Sequence, residues 1–399
     1  MNEFDVAIVG GGIIGLATAH AVLDAHPNRR VAVLEKERRI AAHQSGRNSG
    51  VLHSGVYYRP GSLKARLAVA GRQSMVCFCS EHGVPFEVCG KLILATDEEE
   101  RSGLLSLEGR ARENGVRAHV VESDRIRALE PHATGVAALH VPDAGVADFE
   151  QVCSVLAQLA VDAGAEIRLE WPVERFIRDG SRVRLESRRG DIRSRCAVNC
   201  AGLFADVLAS RSGGAAPVRI VPFRGEYHEL VPGREQLVQH MIYPVPDPAL
   251  PFLGVHLTRG IDGRVHAGPN AVLALAREGY SWRQVDGRDV RDLLRSPAFR
   301  KLAGRYWRIG GSELFRSLSR RALARDLRRL VPGIRTADLV RAPSGVRAQA
   351  LDPNGVLIDD FVIHEAPGVV NVLNAPSPAA TASLEIGREI AHRVDDHLD

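Results

Sequence analysis

The sequence predicts an α/β protein whose core is a parallel sheet of the Rossmann type, and three observations predict it. An apolar, β-prone run at residues 4–9 stops at a cluster of glycines, a stretch with helical periodicity follows at 13–25, and a second apolar run stands at 31–34. Short continuous apolar runs suit strands buried on both faces. Strand, helix and strand in about 30 residues is the length a parallel crossover needs.

The chain has 399 residues, enough for two domains or for one large unit with an insertion. Hydrophobic residues make up 45% and charged residues 25%, which excludes a disordered chain. A net charge of +4 is too mild for a nucleic-acid binder without a concentrated basic patch. No apolar run approaches the ~18 residues of a membrane span. Glu3 and Asp5 stand where a secretory signal carries basic residues, so a reducing, cytoplasmic location is expected. The six cysteines (77, 79, 89, 153, 196 and 200) have neither metal-site spacing nor the density of a disulfide framework, and no metal is expected.

Along the chain, 41–62 reads as a long polar loop, and loops of that length in compact domains tend to carry function. Helices are expected at 62–83, 97–115 and 149–164, and strands at 91–95, 166–170, 173–178, 182–186 and 196–201. Alternating, proline-punctuated segments from 217 to 267 suggest an antiparallel sheet. Residues 283–331 read as helical and Arg-rich, 356–373 as short strands and 378–397 as a terminal helix. Nucleotide-type segments at both ends predict a discontinuous dinucleotide domain (1–84, 146–213 and 335–399) and a mixed-sheet substrate domain (85–145 and 214–334).

Residues 10–15 read GGGIIG, a G-x-G-x-x-G in the context the motif requires, after a strand and at the start of a helix. Gly10 permits the tight turn, Gly12 lets backbone approach a pyrophosphate, and Gly15 lets helix and strand pack closely. The backbone at Ile13 and Ile14 then presents helix N–H groups and a positive dipole end to the phosphates. Glu35 ends the second strand, placed to accept from ribose hydroxyls, which disfavours a 2′-phosphate and hence NADP. Lys36 is taken into the same site. The polar loop that follows favours a long flavin nucleotide over NAD: Gln44, Ser45, Asn48, Ser49 and Gly50 can meet phosphates and ring along its length.

Residues 43–58, HQSGRNSGVLHSGVYY, resemble the active-site loop of L-2-hydroxyglutarate oxidases and dehydrogenases, members of the D-amino-acid-oxidase-like flavoprotein superfamily. PGSLKA at 60–65, PFRGEY at 222–227, IYPVPDP at 242–248, GVHLTR at 254–259, GPNAV at 268–272, GVRAQA at 345–350 and NAPSPAAT at 374–381 carry the resemblance over nearly the whole chain. It implies a D-amino-acid-oxidase/glycine-oxidase-like fold and an FAD-dependent oxidation of (S)-2-hydroxyglutarate to 2-oxoglutarate by hydride transfer. Alternatives left open are a flavin oxidase of another 2-hydroxy acid or of a small amine such as glycine or sarcosine, and a flavoprotein that holds FAD for structure or docking.

Arg347 matches the superfamily's carboxylate-binding arginine, whose planar fork grips a carboxylate bidentately. His53 is the expected base for the hydroxyl proton and His256 a second candidate. Tyr58 and Arg224 are candidates for the distal carboxylate. Val173 resembles the backbone contact to adenine, and Gly202 allows close backbone approach. Ala379, Ala380 and Thr381, ahead of the last helix, would bring a positive helix end to the pyrimidine side of the ring. The family commonly has a second His where this chain has Arg47. No cysteine lies beyond position 200, so a C-terminal cysteinyl flavin link is excluded. A histidyl link through His43 is the remaining covalent option, and non-covalent FAD is favoured.

Residues 281–331 hold 14 Arg or Lys against 5 Asp or Glu. A solvated helical face, a peripheral contact with the inner, anionic face of a membrane, and a field that draws in a dianionic substrate are the three readings. The electron acceptor is oxygen or a membrane quinone, and nucleic acid is not an expected partner.

Overall fold

The computed structural model describes residues 2–213, 216–247 and 253–398. Pro248, the last residue of the 242–248 string, lies outside the described residues.

The first eight-stranded sheet has a parallel centre. Glu3–Val9 lies between Val31–Leu34 and Ile192–Asn199; Glu166–Arg168 flanks the former and Val369–Asn374 the latter. Val6 and Ile8 point to one face, which the helices Ile13–Ala25, Phe149–Asp162 and Ser383–Leu398 cover. Ala7 and Val9 point to the other, which the antiparallel strands Val173–Asp179 and Arg182–Ser187 and the helix Ala205–Arg211 cover. Burial on both faces is why these strands are continuously apolar in sequence.

The second eight-stranded sheet runs Leu339–Arg341, His228–Leu230, Val265–Gly268, His256–Arg259, Met241–Pro244, Lys91–Ala95, Ala137–Val141 and His119–Glu122. Its pairs are antiparallel except Met241–Pro244 on Lys91–Ala95, which is parallel, so the sheet is mixed. Pleat alternation splits its side chains. Leu92, Leu94, Ile242 and Leu257 pack with Leu323 and Leu327 of the helix Arg320–Arg328. Ile93, Ala95, Met241 and Tyr243 pack with Leu104 and Leu107 of the helix Glu98–Glu113 and with Val51 and Val56.

Arg219–Gly225 joins Val272–Leu273 and Gly345–Leu351 in a separate three-stranded antiparallel sheet. The loop at 41–62 folds into one turn of 3-10 helix, Gln44–Gly46, and a short strand, Val51–Leu52, paired with Gly145–Ala147. The last helix starts at Ser383, later than the expected 378, because 376–382 form turns stabilised by Ala379 and Ala382 amides donating to the Pro376 and Pro378 carbonyls.

Candidate active site

A cavity of about 820 Å³ opens between these layers. Its wall includes Gly10, Gly12, Ile13, Ile14, Glu35, Lys36, Gln44, Ser45, Asn48, Ser49, Val173, Gly202, Ala379, Ala380 and Thr381, and also His53, Tyr58, His256 and Arg347. The chain thus brings the expected nucleotide contacts and the expected catalytic groups to one chamber.

At the nucleotide side, Gly10 adopts φ +114°, and a Cβ there would stand 2.3 Å from the Cys200 carbonyl oxygen. A Cβ on Gly15 would stand 2.0 Å from the Gly10 carbonyl oxygen. Gly15 therefore does not line the cavity; it lets the helix start against the strand, as the motif requires. The helix has no acidic residue in its first turn, and the Ile13 amide donates to Ser45 Oγ at 2.9 Å. Glu35 is buried, its carboxylate accepting from the Gly11 amide at 2.7 Å and the Glu37 amide at 2.9 Å. Lone pairs remain on both oxygens for a ribose. A helix N-terminus free of acidic side chains, glycines where Cβ atoms would collide and an acceptor at the second strand's end make a donor and acceptor set that fits FAD.

The loop is braced from within. Gln44 Oε1 accepts from the Ala348 amide at 3.0 Å, Asn48 Nδ2 donates to the Ser45 carbonyl at 2.7 Å, and Asn48 Oδ1 accepts from the Gly50 amide at 2.8 Å. Gly50 supplies the turn (φ +70°) rather than a wall contact. His43 Nε2 lies 3.0 Å from both Glu37 and Glu278, and its Nδ1 lies 2.8 Å from the Tyr280 hydroxyl. Burial lowers the His43 pKa, but the bonds to Glu278 and Glu37 outweigh it and raise the pKa above the ordinary imidazole value. Lys36 Nζ joins Glu278 at 2.7 Å. Arg47, the departure from the family pattern, stacks over Tyr280 at 4.3 Å on the same wall.

At the other side, His53 Nε2 lies 3.0 Å from Ser377 Oγ, and Ser377 also hydrogen-bonds Tyr58. Thr381 Oγ1 accepts from the His53 amide at 3.1 Å and donates to the Val51 carbonyl at 3.1 Å, fixing the base candidate to the turn before the last helix. His256 Nδ1 lies 2.8 Å from the Gly254 carbonyl, which sets Nδ1 as the donor and leaves the Nε2 lone pair free. Its ring stacks on Tyr243 with centroids 3.9 Å apart. Burial, then the cations Lys91, Lys64 and Arg347 and the neighbouring His256, push His53 down to about 3. Burial, with Arg347 and Lys91, pushes His256 to the same value against the opposing Gly254 bond. His53 faces the cavity rather than bulk water, so this wall is where both imidazoles stay neutral. Arg347 hydrogen-bonds the buried Tyr227 hydroxyl.

Arg224 is not part of this wall. Arg347 pairs opposite Phe223, whereas Arg224 pairs opposite Val346, so the pleat places the two arginines on opposite faces. Arg224 is 1% exposed, bonded to Glu226 at 3.0 Å and stacked over Trp282 at 4.2 Å. It has no route to a substrate in the cavity. Tyr57, Tyr227, Tyr243, Ser377 and Arg110 line the site as well, beyond the residues expected from the sequence; all but Arg110 sit inside the family-like strings, which are the signal that could have found them.

The DAO family, described as FAD dependent oxidoreductase, matches residues 5–393. L-2-hydroxyglutarate dehydrogenase of Indibacter alkaliphilus is 45% identical over 96% of this chain and 97% of its own. The protein of that name from Escherichia coli K12 is 41% identical over 99% of this chain and 94% of its own. The human mitochondrial one is 40% identical over the whole of this chain and 90% of its own. Among solved structures, an FAD-bound L-alpha-glycerophosphate oxidase from Mycoplasma pneumoniae superposes with a TM-score of 0.79 at 22% identity, covering 99% of this chain and 95% of that one. Glycine oxidase from Geobacillus kaustophilus gives 0.75 at 21% identity, covering 99% and 95%. These two show the fold. With the match running through the glycine fingerprint, the histidine wall and the final helix alike, the chain belongs to the DAO family of FAD-dependent oxidoreductases.

Proposed function

We propose that the chain oxidises (S)-2-hydroxyglutarate to 2-oxoglutarate, as the names of its relatives indicate. The observation that carries this reading is the convergence of one guanidinium, Arg347, and two neutral imidazoles, His53 and His256, on the cavity that suits FAD. FAD, when bound, supplies the acceptor for two electrons and the C2 hydrogen. Arg347 holds the α-carboxylate in its planar fork and so fixes the direction of the C2–H bond. His53 takes the hydroxyl proton, and Ser377 with Tyr58 keeps its ring oriented. His256, with a fixed tautomer, orients the substrate hydroxyl.

FAD is held non-covalently in this reading, because both ring nitrogens of His43 are engaged by Glu37, Glu278 and Tyr280. Residues 1–84, 146–213 and 335–399 form the cofactor-binding part, and 85–145 with 214–334 the substrate part, with the strand Leu339–Arg341 lending an edge to the second sheet.

The test is an anaerobic titration of the purified holoenzyme, followed by flavin absorbance. (S)-2-Hydroxyglutarate is expected to bleach the flavin, and glycine, sarcosine and lactate are not; bleaching by glycine alone would overturn the substrate assignment. His53→Gln is expected to slow reduction by about 10²–10⁴-fold, the range for losing a general base. His256→Gln is expected to slow it by less, about tenfold. The reverse order would move the base role to His256.

The membrane reading of the Arg-rich segment gains support from one helix. On Pro297–Leu318, Trp307, Phe315 and Leu318 are 67%, 64% and 68% exposed, and arginines flank them. Trp307, Leu314 and Leu318 recur at helical spacing. An apolar stripe rimmed by arginines suits the surface of an anionic bilayer, from which a quinone could take electrons. Among the described residues, no helix is long and apolar enough to cross a membrane. Co-sedimentation with phosphatidylglycerol vesicles is expected for the intact protein and lost in a Trp307→Ser, Phe315→Ser double variant. Equal recovery with neutral vesicles would rule out this docking.

A further inference from the structure

The second sheet presents one more charged group to the histidine wall. Tyr243 pairs opposite Ile93, so the side chains of Lys91, Ile93 and Tyr243 share the face that turns toward the loop carrying His53 and Tyr57. Lys91 is 2% exposed. Its ammonium lies 4.5 Å from the centre of the Tyr57 ring and 4.8 Å from that of Tyr243. Among the described residues no carboxylate or carbonyl hydrogen-bonds to it, and burial alone brings its pKa down to about 7. An unpaired buried ammonium costs several kcal/mol, and a methionine would fill the same volume without that cost. Both cage rings are cavity wall, and Tyr243 is the ring on which His256 stacks.

We propose that Lys91 is a positioning residue of the oxidation: its charge, set behind the wall in the cage of Tyr57 and Tyr243, adds to burial in disfavouring imidazolium at His53 and His256 and so extends the working range of the base into acid conditions. This rests on the reading that these histidines serve the oxidation. The charged and titratable groups around Lys91 are His53 and Tyr57 from the loop, Tyr243 from the adjacent strand and His256 from the strand beyond it, with Cys89 acting on the same Tyr243. Two other cations act on His53. Lys64 is bound by Asp359 at 2.8 Å, and Arg347 would be neutralised by the substrate carboxylate it grips. Substrate engages neither Lys64 nor Lys91 in this reading, and below its own pKa Lys91 keeps its charge through the catalytic complex, when a bound dianion would otherwise draw a proton onto the base. At the acid pH where the histidines titrate, Lys91 lies well below its own pKa and is fully charged.

The sign follows directly. A nearby cation disfavours imidazolium, so removing it raises the histidine pKa values and moves the acid limb of the rate to higher pH. The experiment is pH-jump stopped-flow reduction of the holoenzyme from pH 8 to a series of final values down to about pH 2, which spans the acid limb of both histidines and is read before any acid unfolding. The substrate carboxylates titrate identically for every variant, so only differences between variants count. In Lys91→Met the proton concentration that halves the rate is expected to fall at least about threefold, and in Lys91→Arg to return to the parent value. The ring carbon resonances of labelled histidine, titrated without substrate, are expected to shift in the same direction. Lys91→Gln carries the same test if the Met variant fails to retain FAD. An acid limb and histidine resonances that do not move in either neutral variant would overturn the role of Lys91. An acid limb that survives both His53→Gln and His256→Gln would instead overturn the base assignment, and the resonance titration would still decide the effect of Lys91.

Discussion

Arg347→Met is expected to lower kcat/KM for (S)-2-hydroxyglutarate by about 10²–10⁴-fold, the factor equivalent to about 3–5 kcal/mol for breaking a buried charge pair. The loss falls on substrate, whose α-carboxylate then enters the chamber without its bidentate partner, beside the neutral imidazoles of His53 and His256. It also removes a hydrogen bond from the Tyr227 hydroxyl at the cavity wall. Arg347→Lys should recover only part of the activity, because an ammonium supplies charge without the two-pronged geometry. FAD content, measured by absorbance after denaturation, should match the parent in both variants. Near-parent kcat/KM in Arg347→Met would sink the carboxylate assignment.

Gly15→Ala is expected to destabilise the protein by about 3 kcal/mol or more, the upper range of overpacking effects. The new methyl would meet the Gly10 carbonyl oxygen at 2.0 Å, and backbone cannot rotate aside as a side chain can. Relief requires the helix Ile13–Ala25 to back away from its strand, which withdraws its N-terminus from the cofactor. Thermal melting and FAD stoichiometry should therefore fall together. Gly109→Ala provides the contrast: no atom lies within 4 Å of its added methyl, and it stands inside the helix Glu98–Glu113. That change is expected to stabilise by about 0.5–1 kcal/mol. Equal melting points for the two variants would show that the contact at Gly15 is not the constraint inferred from its geometry.

The parallel core was the most legible part of the chain. Strands buried on both faces are uniformly apolar, so 4–9 and 31–34 stood out, and their observed bounds, Glu3–Val9 and Val31–Leu34, differ by one residue at most. The strands His119–Glu122, Ala137–Val141 and Gly345–Leu351 went unread because each is short or interrupted by polar residues that other elements cover. Site residues on the glycine turn and the long loop were legible because backbone chemistry restricts the residue types there. Arg224 departs from its expected place for a one-residue reason: it lies inside the family-like string 222–227, and membership of a string says nothing of which face the pleat selects. The burial of Lys91 is not legible in sequence, since a lysine opening an apolar strand looks like an edge, and the Tyr57 and Tyr243 rings against its ammonium come from far away in the chain.

The bond from the Ala348 amide to Gln44 Oε1 has a mechanical consequence. It ties the residue after Arg347 to the first turn of the cofactor loop, and Gly345 packs so near the Arg47 carbonyl oxygen that a methyl there would sit at 2.5 Å. Loop and strand are thereby clamped as a jig. In the proposed reading, a shift of one would carry the other along, so that substrate and cofactor would keep their spacing through a local brace rather than through the relative pose of two large sheets.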